Sequence, residues 1–226
     1  MNENNAALKA IQHPPPWILQ GDAFLLNYWL SSAFIEQSTP FKLSASRFGR
    51  MIQVMLVRYR HSPIGAYDEL LLLDHPLFTD SKLHTIPKIY VSTQISVNHG
   101  QQYWGIPKEL ACFEWREHGN EVQCTIRLPH DLHNSMVIQL NKAPNPRLWP
   151  ASSKILPASF LKIQQIHNHQ LFQFSPSFKG TLSKLQYATW MNTSGLFPDF
   201  SQARYFPSFY APNFELVFPE ADIYAL

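Results

Sequence analysis

The chain has 226 residues, 45% hydrophobic and 15% charged, enough to bury a sizeable core without disulfides or metal. Its 18 Lys plus Arg against 16 Asp plus Glu leave a formal charge of +2, too balanced to steer it onto nucleic acid or an anionic membrane. Sixteen Phe and nine Tyr, with eighteen Pro against eight Gly, favour strands over helices, because proline is excluded from helix interiors.

Residues 1–16 are polar, then proline-rich, and read as a flexible arm. From 17 to 226 no repeat, low-complexity tract or Gly-Ser linker interrupts the chain, so one domain is expected. The apolar stretch from Ala23 to Ile35 contains Asn27, Ser31 and Ser32 and falls short of the ~20 residues a bilayer requires. No basic segment precedes it as a secretory leader would need, which makes a cytoplasmic location the default expectation. RFGR (47–50) and VRYR (57–60) read as ordinary strand-end charges, with residues 51–60 a strand. KIYVSTQI (88–95) alternates, Ile89 and Val91 on one side and Tyr90 and Ser92 on the other. One helical turn fits between Ser96 and Trp104, and another within 199–206.

The clearest local signal is a hairpin at Gly119-Asn120, two residues that tolerate the positive φ of a two-residue turn. Pairing outward sets His118 opposite Glu121, Glu117 opposite Val122, Trp115 opposite Cys124 and Phe113 opposite Ile126. That register gathers Phe113, Trp115, Val122, Cys124 and Ile126 on one face, and a one-residue slip would mix the faces. Cys112 then falls opposite Arg127, away from Cys124, so both cysteines read as buried free thiols. NKAPNPRLWPASS (141–153) reads as a long loop or edge crossing. Further strands are expected at 135–141, 169–175, 184–191 and 214–219.

Ten histidines invite a metal reading, but His130 and His133 lie in a turn-like PHDLHN. His167 and His169, sharing one face of a strand, bring no third ligand at zinc-site spacing. No metal is therefore expected. The sequence has no GxSxG elbow, GxGxxG or phosphate loop, which argues against serine hydrolase and nucleotide functions.

Lys108 lies in YWGIPKEL (103–110), hemmed by Tyr103, Trp104, Ile106 and Leu110. Lysines beside aromatics ordinarily lay their stems on them. Buried among apolar groups, however, a lysine is disfavoured as an ammonium and becomes a nucleophile toward carbonyls. Glu69 in GAYDEL (65–70) opens the apolar run Leu70 to Leu73, where a carboxylate needs a partner; an exposed strand end is its other reading.

Through these two motifs, taken with the order of Ile89–Val97, Gly100-Gln101-Gln102 and Gly105-Ile106-Pro107-Lys108, the chain resembles the acetoacetate decarboxylase superfamily across residues 17–128. FELVFPEA (214–221) is similar to the family's closing strand. The resemblance implies a mostly β (α+β) fold, an antiparallel β-barrel with a few short helices around the site. It implies Lys108 as an imine-forming lysine, Glu69 as the proton carrier, and Tyr67 and Trp104 beside the substrate. No metal or organic cofactor is then needed, because the lysine supplies the electron sink. The expected partner is a small-molecule carbonyl compound, with a homo-oligomer left open.

Two positions depart from the family pattern. Glu109 stands where a second lysine follows the first, and Trp29 stands where an N-terminal strand arginine holds the substrate carboxylate. Arg58 or Arg60 is the candidate replacement. The departures put acetoacetate in doubt and leave three readings: a Schiff-base lyase for a small keto acid or ketone, a non-catalytic barrel binding a small carbonyl or apolar metabolite, or, should side chains fill the interior, a structural or interaction protein with no ligand.

Overall fold

The computed structural model describes residues 13–74, 83–155, 161–192 and 195–226. In chain order the strands are β1 (Trp17–Leu30), β2 (Arg50–His61), β3 (Tyr67–Asp74), β4 (Thr85–Val91), β5 (Lys108–Leu110), β6 (Cys112–His118) and β7 (Glu121–Leu128). There follow β8 (Asp131–Lys142), β9 (Trp149–Ser152), β10 (Ile163–His167), β11 (Gln170–Phe174), β12 (Ser177–Asn192), β13 (Arg204–Phe218) and β14 (Asp222–Ala225). Two α-helices interrupt them, α1 (Ser32–Gln37) and α2 (Gln94–Trp104).

Eleven strands form one sheet in the order β5-β4-β3-β2-β1-β13-β12-β8-β7-β6, with β9 paired to β12, and β10-β11-β14 form a small second sheet. Among the described residues the large sheet does not close into the expected barrel, because its end strands β5 and β6 are not paired. Only Ala111 separates them, and a tight hairpin needs a two-residue turn before strands can pair back on each other. The ladder is not wholly antiparallel either, since β4 and β5 run parallel.

Both faces of the central strands are buried, which is why β3 carries the uninterrupted run Leu70 to Leu73. Leu70 and Leu72 join Leu26, Ile52, Val54 and the β7–β8 residues in one core. Tyr67 and Leu71 face the other core, with Trp17, Tyr59, Ile89, Trp104 and Phe172. Residues 89–91 divide as their alternation predicts, Ile89 and Val91 into the second core and Tyr90 into the first.

The hairpin register agrees pair for pair with that derived from the sequence, from Cys112↔Arg127 to His118↔Glu121. Only Gly119 takes a positive φ, of 59°, as a turn with glycine first requires; Asn120 does not use its tolerance. Cys124 is a buried free thiol, but Cys112 is exposed, which corrects its assignment to the core. It opens an edge strand on the face opposite Cys124.

The KIYVSTQI strand stops at Val91. Thr93 then caps α2, its Oγ1 accepting from the Ser96 amide at 3.4 Å, so Gln94 and Ile95 are helical and α2 runs eleven residues rather than one turn. Its polar, weakly periodic sequence concealed it. Within 199–206 the helical piece is a 3-10 turn, Phe200–Gln202. The apolar stretch Ala23 to Ile35 divides at Ser31, which ends β1 and caps α1. Asn168 and His169 take positive φ between β10 and β11, so His167 ends a strand and His169 lies in the turn rather than sharing its face. The 141–153 stretch is partly β: β8 continues to Lys142 and β9 pairs with β12.

Residues 1–12 of the expected arm lie outside the described residues. The following segment is tied down, with the Trp17 indole donating to the His13 carbonyl at 2.6 Å and the His13 amide to His99 Nε2 at 3.2 Å. No helix among the described residues is long and apolar enough to cross a membrane.

Candidate active site

The site lies where β3, β2, the start of β5 and α2 converge in the second core. Gly105, in the left-handed conformation at φ 62°, ends α2 and turns the chain back. Ile106 and Pro107 follow, and Lys108 enters β5 beside Ile89 of β4. The Gln101 side chain donates to the Lys108 carbonyl at 3.0 Å, locking this return to the helix. The lysine stem then lies across Gly100: a Cβ there would sit 2.5 Å from Lys108 Cδ.

Lys108 Nζ reaches the Glu69 carboxylate at 2.9 Å and the Ser96 hydroxyl at 3.1 Å. Lys108 is 5% exposed and Glu69 3%, so this is a desolvated pair. The Tyr59 hydroxyl donates to the second Glu69 oxygen at 3.1 Å, and the Tyr67 ring lies 5.4 Å from the ammonium. Burial, with the Glu69 charge second, pushes both phenols well above their ordinary value and keeps them as neutral O–H groups. For Tyr67 a hydrogen bond with Ser96 acts in the opposite direction.

The rest of the wall is apolar: Trp17, Leu19, Leu71, Ile86, Ile89, Trp104, Ile106 and Phe218. The free space beside Lys108 is about 10 Å³, on the order of one water.

Of the six residues singled out from the sequence, the structure brings Lys108, Glu69, Tyr67 and Trp104 around this one cavity. Trp29 and Arg60 are elsewhere. The β1 residues at the cavity are Trp17 and Leu19, and ten further residues of extended strand put Trp29 roughly 30 Å along it, packed by Gly49. Tyr59 points into the cavity, so strand alternation sends Arg58 and Arg60 to the opposite face. There Arg60 pairs with Asp22 at 2.8 Å and Arg58 with Glu117 at 2.5 Å. Glu109 likewise turns away from its neighbour Lys108 and pairs with Lys88 at 2.7 Å.

Tyr59, Ser96 and Trp17 belong to the site and were not singled out. Tyr59 was legible as the residue of VRYR facing away from the two arginines. Ser96 shares a helix face with Gly100, a signal available only once α2 is known.

This fold is the one seen in solved structures of acetoacetate decarboxylase and of acetoacetate decarboxylase-like enzymes. Acetoacetate decarboxylase from Legionella pneumophila subsp. pneumophila str. Philadelphia 1 superposes with a TM-score of 0.67 at 12% identity, over 98% of this chain and 94% of that one. The enduracididine biosynthesis enzyme MppR complexed with pyruvate superposes at 0.62 with 14% identity, over 95% and 92%. In sequence, the Protein NEOXANTHIN-DEFICIENT 1 of Oryza sativa subsp. japonica is 26% identical over 118 residues, 51% of this chain and 39% of that protein. The matched part thus spans well under half of that relative's length. No protein-family profile matches the chain.

Proposed function

We propose that the protein is a Schiff-base-forming lyase that acts on a small keto acid or ketone through Lys108, with acetoacetate itself a poor substrate. The observation that carries this reading is the desolvated Lys108–Glu69 pair, 2.9 Å apart within an apolar wall. At that distance the ammonium can pass its proton to Glu69 and leave a free amine. The amine adds to the substrate carbonyl, Glu69 returns the proton to the resulting hydroxyl, and water departs to leave an iminium. The adjacent carbon–carbon bond then breaks with its electrons drawn toward the iminium nitrogen. The enamine so formed is protonated and hydrolysed, which frees Lys108. That MppR is described in complex with pyruvate supports a small carbonyl compound as the ligand class. Apart from Lys108 itself, no cation among the described residues lines the cavity to hold a β-keto carboxylate as an arginine would.

Borohydride trapping followed by peptide mass spectrometry tests the proposal on the full chain. The expected result is a reduced adduct on Lys108 with at least one small carbonyl compound, absent in Lys108→Ala and in Lys108→Arg. The competing reading, a non-catalytic structural or interaction protein in which Lys108 and Glu69 are simply a buried pair, is the one favoured by the small free volume. The absence of an adduct across a panel of ketones, aldehydes and keto acids would decide for it.

A further inference from the structure

We infer that the site selects an uncharged carbonyl compound, a ketone or aldehyde without a carboxylate, and that its reaction is aldol-type cleavage or condensation rather than decarboxylation; this rests on the imine reading above. Among the described residues lining the cavity, Lys108 is the one cation and Glu69 the one carboxylate, and they are already paired. The cavity is therefore neutral before anything binds.

The other cations nearby are committed to other faces. Arg60 is held by Asp22 and Asn213, Arg58 by Glu117, and Lys88 by Glu109. Each sits on the reverse side of a strand whose neighbouring residue faces the cavity: Tyr59 between the two arginines and Ile89 after Lys88. None can swing in without a strand reversing its faces. A keto acid would thus bring a second negative charge against one positive charge, in a wall of Trp, Leu, Ile and Phe that cannot solvate it. The remaining polar groups are neutral hydroxyls, those of Tyr59, Tyr67 and Ser96. They suit a carbonyl or hydroxyl oxygen and do not replace a counter-charge.

A β-hydroxy ketone satisfies this site without a carboxylate. After the iminium forms on Lys108, Glu69 removes the β-hydroxyl proton. The Cα–Cβ bond breaks, and its electron pair moves to the nitrogen as an enamine while an aldehyde leaves. Glu69 returns the proton to the enamine carbon, and water hydrolyses the iminium to amine and ketone. Protons and electrons balance with no external oxidant or reductant. The free volume of about 10 Å³ adds a size limit, since any ketone exceeds one water and enters only as wall side chains move aside.

The test is competitive trapping on the full chain with matched pairs, butanone against pyruvate and hydroxyacetone against acetoacetate, at equal concentration with borohydride quench. The expected result is at least tenfold more Lys108 adduct from the neutral member of each pair. In Glu69→Gln, which removes the resident negative charge, the yields fall but the preference narrows at least tenfold toward the keto acid. Equal or greater labelling by the keto acids in the unaltered protein overturns the inference while leaving the imine reading intact. An unchanged preference in Glu69→Gln removes its electrostatic basis. No adduct from either class refutes the imine reading, and the inference falls with it.

Discussion

Gly100→Ala is the most informative single change, because it perturbs Lys108 without touching its charge or partners. The added methyl would lie 2.5 Å from Lys108 Cδ, 2.8 Å from Cε and 3.1 Å from Cγ. Ordinary carbon–carbon contact is about 3.5–4.0 Å, so the stem must retreat by about 1 Å. Both ends of that stem are held, at the backbone by the β4–β5 pairing and at Nζ by Glu69 and Ser96, so the shift is transmitted to the amine. A misplacement of that size at a reacting group costs on the order of a hundredfold in rate. The backbone itself tolerates alanine, since Gly100 is helical and not in the left-handed region. Overpacking costs about 1–3 kcal/mol, of which roughly 1 kcal/mol is offset by the better helix propensity. The variant should therefore fold with a modest loss of stability and trap a carbonyl compound at Lys108 on the order of a hundredfold more slowly. Exposed Asn98→Ala on the same helix, which gives up only its surface hydrogen bond from Gln94 at 2.9 Å, serves as the control for helix changes away from Lys108. A Gly100→Ala protein with the control's trapping rate would show that the stem position does not govern the amine.

Two further outcomes follow from the same geometry. Lys108→Met leaves the buried Glu69 carboxylate without its cation and should cost about 3–5 kcal/mol in denaturant unfolding, whereas Lys108→Met with Glu69→Leu should regain most of that loss; additive losses would show that the two are not energetically paired. The second outcome is alkaline. Tyr59 and Tyr67 are raised well above 10.0 chiefly by burial, and Tyr210 is pushed up to about 12 by burial first and Asp22 second. The fold keeps protons that the unfolded chain releases from the ordinary phenol value upward. Their contribution is complete below pH 10 and is lost as pH rises through the folded values, by up to about 1.4 kcal/mol per pH unit for each phenol. Melting curves paired with phenolate absorbance should show Tm falling across that window, and a flat profile would contradict the burial of these groups.

The residues that could be read from sequence are those whose constraint is local. The hairpin register followed from one turn glycine and period-two alternation, because a slip would have exposed Phe113, Trp115 and Ile126 together. Lys108 and Glu69 stood out through the two motifs that resemble the acetoacetate decarboxylase superfamily, since a lysine among aromatics or a carboxylate beside an apolar run has an ordinary reading by itself; the fold pairs them across 39 residues. The tertiary structure decided what no local pattern encodes. Alignment set Trp29 at the site, but which end of a fourteen-residue strand meets the cavity depends on pairing with β13 and β2, and that brought Trp17 and Leu19 there instead. The faces of β2 and β4 turned away from the cavity, not their composition, removed Arg58, Arg60 and Lys88 from it. Helix α2 gained its stability from Thr93, Gly105 and packing against the second core rather than from its own weakly periodic sequence. The sheet stayed open because one residue, Ala111, joins its two ends. Local sequence determined which groups had to be paired, and long-range strand pairing determined with what, at which end, and with how little room beside them.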